Sequence, residues 1–582
     1  MGGARVARHD SSMSWLFPSL HGYRRDWLRG DLIAGLTVWA VLVPEALAYA
    51  SIAGVSPVVG LYAAPGALIL YAALGSSRQL IAGPMSATAA LSAATVAALV
   101  PAGSDRFTAM TAALAITTGL AALLAGVLRL GFVASFISEP VIKGFIVGLA
   151  LTIIIGQVPK LLGIEKGTGD FFEQLWHVIV HLGDSQGATL VVGLASLAVV
   201  LALRRLAPVI PGSLVAVLLG IAAVELFHLD DHGVEIVGSI KSGLPALGLP
   251  NVHLQDFGTL LAGGIGVMLV GFAEGLGAAK TYAQREHYEI DVNRELLGLG
   301  GANIAAGLSS GMVVNGSLSK TAVNGSAGAR SQLSGLIVAA LTILTLLALT
   351  GLFEDLPEAT LAAVVIAAVV ELVDYRTLID LYRAHTRPLG SEFGFASRPD
   401  FIASIAALLG VTVFDTLPGL FIGIGVSLLL LIYRASRPYI AELGREPGPG
   451  GRYSDVDRHP GNEQPPHIAV LRVESSLYFA NADGVHARIA RAAEADGIVA
   501  VVLDAETIPF IDVTAARMLA TVSAELSELG KTLLLARDTG QVRDVLRSVL
   551  EDPAIPRCYP SVQAAVESVS RPARAPAGDG PT

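Results

Sequence analysis

The octapeptide GPMSATAA (Gly83–Ala90) is echoed 233 positions later by GSLSKTAV (Gly316–Val323), with Gly, Ser, Thr and Ala in register and Ala87 standing against Lys320. Both phrases have the makings of an anion site. Short extended runs, RQLIAG before Pro84 and GMVVNG before Ser317, lead through a glycine into residues that start helices. Proline suits the first helical turn, where its missing N–H is no loss, so Pro84 is expected to open one helix. Ser317 is suited to cap the other. Too few residues precede either start for a full span, so both helices would begin inside the membrane. Their free N–H groups carry partial positive charge and cannot stay bare in hydrocarbon; a dehydrated anion would satisfy them. Only the second phrase adds a full charge, that of Lys320.

Two carboxylates form a second constellation. VPEALA (Val43–Ala48) and FAEGLG (Phe272–Gly277) place Glu45 and Glu274 in related contexts 229 positions apart. Two echoes in one order at nearly one offset indicate homologous halves. Broken helices that meet at the midplane from inverted halves build the substrate site of many secondary transporters. A carboxylate at that depth costs roughly 2.5–3.5 kcal/mol on insertion scales, so it is protonated, paired or functional. The competing readings are a Lys320 that snorkels to a surface, and a Glu45 that is neutralised by Lys320 or lies near an interface.

The elements that position these residues belong to a membrane protein. The chain has 582 residues, 53% hydrophobic and only 15% charged, with mean hydropathy +0.62. Between Asp31 and Arg434 apolar segments follow one another, among them Leu32–Ala50, Ala109–Leu128, Leu260–Ala279 and Leu420–Tyr433. Residues 1–30 are polar, carry Arg5, Arg8, Arg24, Arg25 and Arg29, and read as a cytoplasmic segment without a cleavable leader. Arg434 and Arg437 after the last apolar run place the tail on the same side, which implies an even number of spans. The expected organisation is a transporter domain over 31–434, a Pro/Gly-rich linker over 435–466, an α/β domain over 467–570 and a disordered tail over 571–582. In the α/β domain Ile468–Val473, Ile498–Asp504 and Thr532–Ala536 read as strands, and Ala482–Ala493 and Val513–Leu529 as helices.

Several long motifs in order resemble the SulP family of sulfate permeases and their animal relatives, the prestin and pendrin type of anion exchangers. They are VPEALAYASIAGVSPVVGLYAA (Val43–Ala64), SRQLIAGPMSATAAL (Ser77–Leu91), NGSLSKTAVNGSAGARSQLSG (Asn315–Gly335) and LLLLIYRASRP (Leu428–Pro438). LYFANADGVHARI (Leu477–Ile489) with FIDVTAARML (Phe510–Leu519) is similar to the STAS domain of that family. The resemblance implies a uracil-permease-like fold of about 14 spans as two inverted sevens, with a core moving against a gate in an elevator-like cycle. It also implies a homodimer in the plasma membrane. The anion would sit between the starts of spans three and ten: Gly83, Pro84, Met85 and Ser86 on one side, Ser317, Leu318, Ser319 and Lys320 on the other, Tyr49 nearby. Lys320 matches a position where relatives often carry Arg, which keeps the charge without the bidentate geometry. Glu274 matches a position linked to coupling-cation binding, while Glu45 departs from an expected Gln.

These charges suggest a mechanism. One lysine facing two carboxylates is net negative and repels sulfate; protonating either carboxyl makes the cavity receptive, so proton and anion would enter together. Sodium coupling is the rival, and bicarbonate, dicarboxylates and chloride are alternative anions. At the STAS turn, Asp512, Val513 and Thr514 occupy the place where related bacterial regulators carry a phosphorylated Ser. Val513 has no hydroxyl, and Thr514 is expected to cap the following helix. The domain reads as a regulatory or dimer-stabilising module open to a cytoplasmic regulator. A sensor with STAS output is the reading from another class. No enzyme is expected: His467 and His486 stand alone, the single cysteine is Cys558, and no cofactor or metal set is visible. The net charge of −10 argues against nucleic acid as a partner.

Overall fold

The computed structural model describes residues 15–570 apart from 102, 133–137, 168, 208–209, 239–241, 371–372, 374–378, 380–381, 384–397, 415, 449–451 and 552–554. Arg5, Arg8 and the tail expected over 571–582 lie outside the described residues. By contact the chain divides into two units, Met1–Leu428 and Leu429–Thr582.

In the first unit, α1 (Leu28–Ile52) has 25 residues. At 1.5 Å per residue that is about 37 Å, enough to cross a hydrocarbon layer of about 30 Å. Next come α2 (Pro57–Leu74), β1 (Ile81–Gly83), α3 (Ser86–Ala97) and α4 (Asp105–Val127), then α5 (Glu139–Leu162), α6 (Phe171–Val180), α7 (Gly187–Leu206) and α8 (Gly212–Phe227). After the short α9 (Leu254–Thr259) the opening pattern returns: α10 (Leu261–Arg285), α11 (Val292–Leu308), β2 (Asn315–Ser317), α12 (Leu318–Ser326) and α13 (Leu333–Ala348). The unit closes with α14 (Glu358–Val370), α15 (Arg398–Phe414) and α16 (Thr416–Ala435). The order of long helix, second helix, three-residue strand and short helix thus occurs twice, as the paired phrases imply. With 12 and 9 residues, α3 and α12 are too short to span.

Packing sorts these helices into two bundles. In one, α11 packs on α4 and α2, α13 on α1 and α2, and α10 on α4 and α3; in the other, α5 packs on α15 and α14, and α7 on α14 and α8. α1 and α3 form the face that meets α14, α8 and α5. Close approach needs glycine at selected points: a Cβ on Gly60 would lie 1.9 Å from the Ala46 carbonyl oxygen, so only glycine lets α2 lie against α1 there.

The second unit is an α/β domain built on one six-stranded sheet. β3 (Ile440–Arg445), β4 (Tyr453–Asp455), β5 (Ile468–Val473), β6 (Ala500–Asp504), β7 (Thr532–Ala536) and β8 (Arg557–Tyr559) stand in the order β4-β3-β5-β6-β7-β8, with β5 to β8 parallel. α17 (Ala482–Glu494), α18 (Val513–Glu528) and α19 (Gly540–Val549) cover one face and α20 (Val562–Ser570) the other. The stretch expected as a linker over 435–466 therefore holds two strands of this sheet. Ala441 and Leu443 are buried in its core; only the turn around Pro447 and Gly448 matches a linker in composition.

The N-cap of α18 is Asp512, not Thr514. Asp512 accepts from the Ala515 amide (2.8 Å) and the Phe479 amide (2.8 Å), leaving Val513 and Thr514 on the surface. Asp512→Ala is expected to remove about 1–2 kcal/mol from this domain. That loss reads as a lower unfolding midpoint of the detergent-solubilised protein, while Thr514→Ala leaves it within measurement error.

Candidate functional site

β1 and β2 pair antiparallel, with Ile81 opposite Ser317, Ala82 opposite Gly316 and Gly83 opposite Asn315. Since the strands run in opposite directions and each leads directly into a short helix, α3 and α12 leave the pair in opposite directions with their N-termini beside it. Side chains of the same phrases hold it. The Ile81 amide donates to Thr321 Oγ1 (3.1 Å), Asn324 Nδ2 donates to the Gln79 carbonyl (2.8 Å), and Gln332 Nε2 donates to the carbonyls of Ser77 and Leu80 (2.9 and 2.8 Å). Asn303 clasps Val314 by both its backbone groups. A Cβ on Gly316 would lie 3.0 Å from Gly275 Cα, so glycine sets how closely β2 meets α10.

Deeper support comes from Glu295 on α11, which is wholly buried. It accepts from the Tyr71 hydroxyl (2.6 Å), the amides of Ser76 and Ser77, and the Ser76 hydroxyl, closing the turn between α2 and β1. Asp31 does the same for the turn after α12, accepting from the Arg330 and Ser331 amides and the Ser331 hydroxyl. Sequence reasoning missed both residues; their one visible signal is an acidic residue in the first turn of a largely apolar helix.

The two helix starts differ. Ser317 caps α12, its hydroxyl accepting from the Lys320 amide (3.3 Å), as expected. α3 begins at Ser86, two residues after Pro84. Met85 is its extended N-cap, and its side chain caps nothing. Strand pairing keeps the chain extended through Gly83, and the residue before a proline favours that conformation. Consequently the amides of Ser86, Ala87 and Thr88 have no acceptor among the described residues. Gly83, Pro84, Met85 and Ser86 are all buried; Leu318 and Ser319 are exposed, with the Ser319 hydroxyl 3.1 Å from that of Ser317.

Lys320 is 1% exposed, which removes the snorkelling alternative. Its Nζ lies 2.6 Å from Glu45 Oε2 and 5.0 Å from the centre of the Tyr49 ring. Glu45 and Tyr49 stand one turn apart on α1, so one helix presents both a carboxylate and an aromatic face to the ammonium. Glu274 is not part of this contact. It has no hydrogen bond or ion pair among the described residues, and its Oε2 is fully enclosed. Of the two carboxylates expected to face this lysine, Glu45 on α1 contacts it, and Glu274 makes no ion pair with it among the described residues.

The paired strands thus lead on one side to open amides at the start of α3 and on the other to a buried lysine. The model of the sulfate permease family matches residues 28–389, and that of the STAS domain matches 459–565. The chain belongs to the sulfate permease family. It is 37% identical over 528 residues to a probable sulfate transporter of Mycobacterium tuberculosis, an alignment covering 90% of this chain and 92% of the relative. It is 31% identical over 500 residues to high affinity sulfate transporter 2 of Stylosanthes hamata, covering 82% and 73%. In fold it is similar to the murine Solute Carrier 26 family member A9 anion transporter in its inward-facing state, with TM-score 0.86 at 22% identity over 98% and 96% of the two chains. The transmembrane domain of the cyanobacterial bicarbonate transporter BicA matches with TM-score 0.58 at 25% identity, over 67% of this chain and 98% of that one. This sulfate permease family member is a multi-pass membrane transporter of anions, not an enzyme.

Proposed function

We propose that the protein is a secondary active sulfate transporter of the plasma membrane, with both termini cytoplasmic, that carries sulfate together with protons. The observation that carries this reading is the β1–β2 pair, which leads on one strand to three open amides at the start of α3 and on the other to the buried ammonium of Lys320. Partial charges from two helix ends and one full charge suit a small dehydrated anion. Gly83, Pro84, Met85 and Ser86 form one wall of the site, Ser317, Lys320 and the backbone of Leu318 and Ser319 the other, and Tyr49 steadies the ammonium.

Glu45 pairs with Lys320. A proton on Glu45 would release the lysine to sulfate, and Glu274, enclosed and without a partner, is suited to carry a second proton or a sodium ion. Cargo release to the other face would come from the bundle holding α1, α3, α10 and α12 sliding against the bundle of α5, α7 and α14 as a homodimer cycles. The dense bonding around β1 and β2 would make the moving bundle rigid.

Labelled sulfate uptake into reconstituted vesicles tests the proposal. Uptake is expected to saturate, to rise as external pH falls at fixed voltage, and to persist when choline replaces external sodium. Loss of uptake in choline would assign coupling to sodium instead. The similarity to a bicarbonate transporter supports bicarbonate as a second reading. If bicarbonate displaces labelled sulfate at lower concentration than unlabelled sulfate does, that reading replaces the first.

A further inference from the structure

A cavity of about 460 Å³ lies between the two bundles, one turn beyond the half-helix site. At about 30 Å³ per water it holds roughly fifteen waters. One wall is the face of α3 that carries Ala90, Ala93, Ala94 and Ala97, together with Ser51 and Ile52 at the far end of α1. α3 starts at Ser86 and Tyr49 precedes Ile52 by three residues, so the cavity lies about one turn from the site, on the side where α1 ends. The opposite wall comes from α5, α6 and α15.

Two polar groups in this cavity have no task in the fold. Gln157, on α5, is only 6% exposed and lines the cavity, yet its carboxamide has no hydrogen-bond partner among the described residues. Lys166, exposed in the loop between α5 and α6, stands at the rim of the same cavity and has no ion pair or hydrogen bond among the described residues. Desolvation against the wall, and then the neighbouring Lys160, hold its pKa below the ordinary lysine value. Asp170, which also lines the cavity, accepts from the Phe172 and Glu173 amides through Oδ1 (2.9 Å each) as the cap of α6 and pairs with neither lysine, while Lys160 pairs with Glu358 (2.9 Å). The alanine wall offers no hydrogen bonds, so an anion here keeps most of its water.

We infer that this cavity is a second anion site, an antechamber in which Lys166 and Gln157 hold a hydrated inorganic oxyanion before it is stripped of water at the start of α3. This rests on the reading of the protein as a sulfate transporter with its N-terminus cytoplasmic, which makes the antechamber face outward. Capture by charge at the mouth raises the local anion concentration without touching the dehydrated state. Lys166 therefore sets the concentration dependence of uptake and leaves its maximal rate alone.

The test uses Lys166→Cys in a Cys558→Ser background, in intact cells lacking sulfate uptake of their own. Cys558→Ser removes the chain's single cysteine, an exposed free thiol. Lys166→Cys is expected to raise the half-saturating sulfate concentration about fivefold with maximal rate within about twofold, and the difference shrinks as ionic strength rises and screens the charge. A membrane-impermeant trimethylammonium thiosulfonate restores the original value, a sulfonate reagent worsens it, and a neutral methyl reagent changes nothing. Gln157→Leu raises the same concentration by about two- to threefold, as expected for one lost hydrogen bond, with no dependence on ionic strength. An unchanged half-saturating concentration in Lys166→Cys, equal rescue by the neutral reagent, or no response to the impermeant reagents overturns the antechamber. A Cys558→Ser background that takes up no sulfate at all overturns the transport reading instead.

Discussion

Lys320→Ala is expected to lower sulfate uptake by about two orders of magnitude, the equivalent of roughly 3 kcal/mol for a charge-assisted contact in a dry site. Lys320 is the full positive charge that the second phrase adds to the half-helix pair, and nothing in the first phrase replaces it. The single substitution also leaves Glu45 buried without its partner, a change that costs about 3–5 kcal/mol and threatens the fold. Lys320→Ala with Glu45→Gln removes that problem: the site is then neutral, the protein folds, and the defect that remains belongs to anion binding. Ala87→Ser, the equivalent place in the first phrase, changes uptake by no more than about fivefold. Uptake by the folded double variant within tenfold of the parent would show that helix ends alone hold the anion.

What the sequence revealed and what it hid follow from range. Long apolar runs, the repeated phrase and the strand–helix alternation of the tail are local patterns, and the helices and sheet appear where those patterns lie. The β1–β2 pair was legible as two extended runs but not as a pair, since three residues are too short to show a period and their partner stands more than 230 positions away. A separation of 275 positions likewise hid the meeting of Lys320 with Glu45. The helix start displaced from Pro84 to Ser86 is a tertiary effect: pairing extends a backbone that local propensity would have let coil. β3 was read as linker because the Pro- and Gly-rich turn beside it dominates the composition of that stretch, while Ala441 and Leu443 mark the strand. Glu295 and Asp31 escaped because a buried carboxylate bonded to backbone amides has no motif; its meaning lies in turns far away in the chain.

Glu45→Gln is expected to flatten the pH dependence of sulfate binding and to tighten binding at pH 8 by about tenfold, the size of effect of removing one competing buried contact of about 1.4 kcal/mol. On the proposed reading, sulfate in the parent shares Lys320 with a carboxylate 2.6 Å away, and a proton on that carboxylate would remove the competitor. Binding is then expected to strengthen with proton uptake while Glu45 is present, and to lose that dependence when it is Gln. An isosteric amide keeps the side chain in place against Lys320 and Tyr49, so lost packing does not mimic the result. Without substrate the variant carries an unpaired buried lysine and is less stable than the parent. Saturating sulfate restores it, because a ligand that binds only the folded state stabilises it in proportion to the logarithm of its concentration over Kd. Sulfate should thus raise the unfolding midpoint of Glu45→Gln more than that of the parent at pH 8, and equally at a pH where the parent's Glu45 is protonated. Uptake separates coupling from binding. Glu45→Gln binds sulfate but no longer accelerates uptake in response to an inward proton gradient, whereas Glu274→Gln keeps the pH slope of binding. If the slope survives in Glu45→Gln and disappears in Glu274→Gln, the proton enters through the partnerless carboxylate on α10, and the Glu45–Lys320 contact is a structural pair that the anion leaves intact.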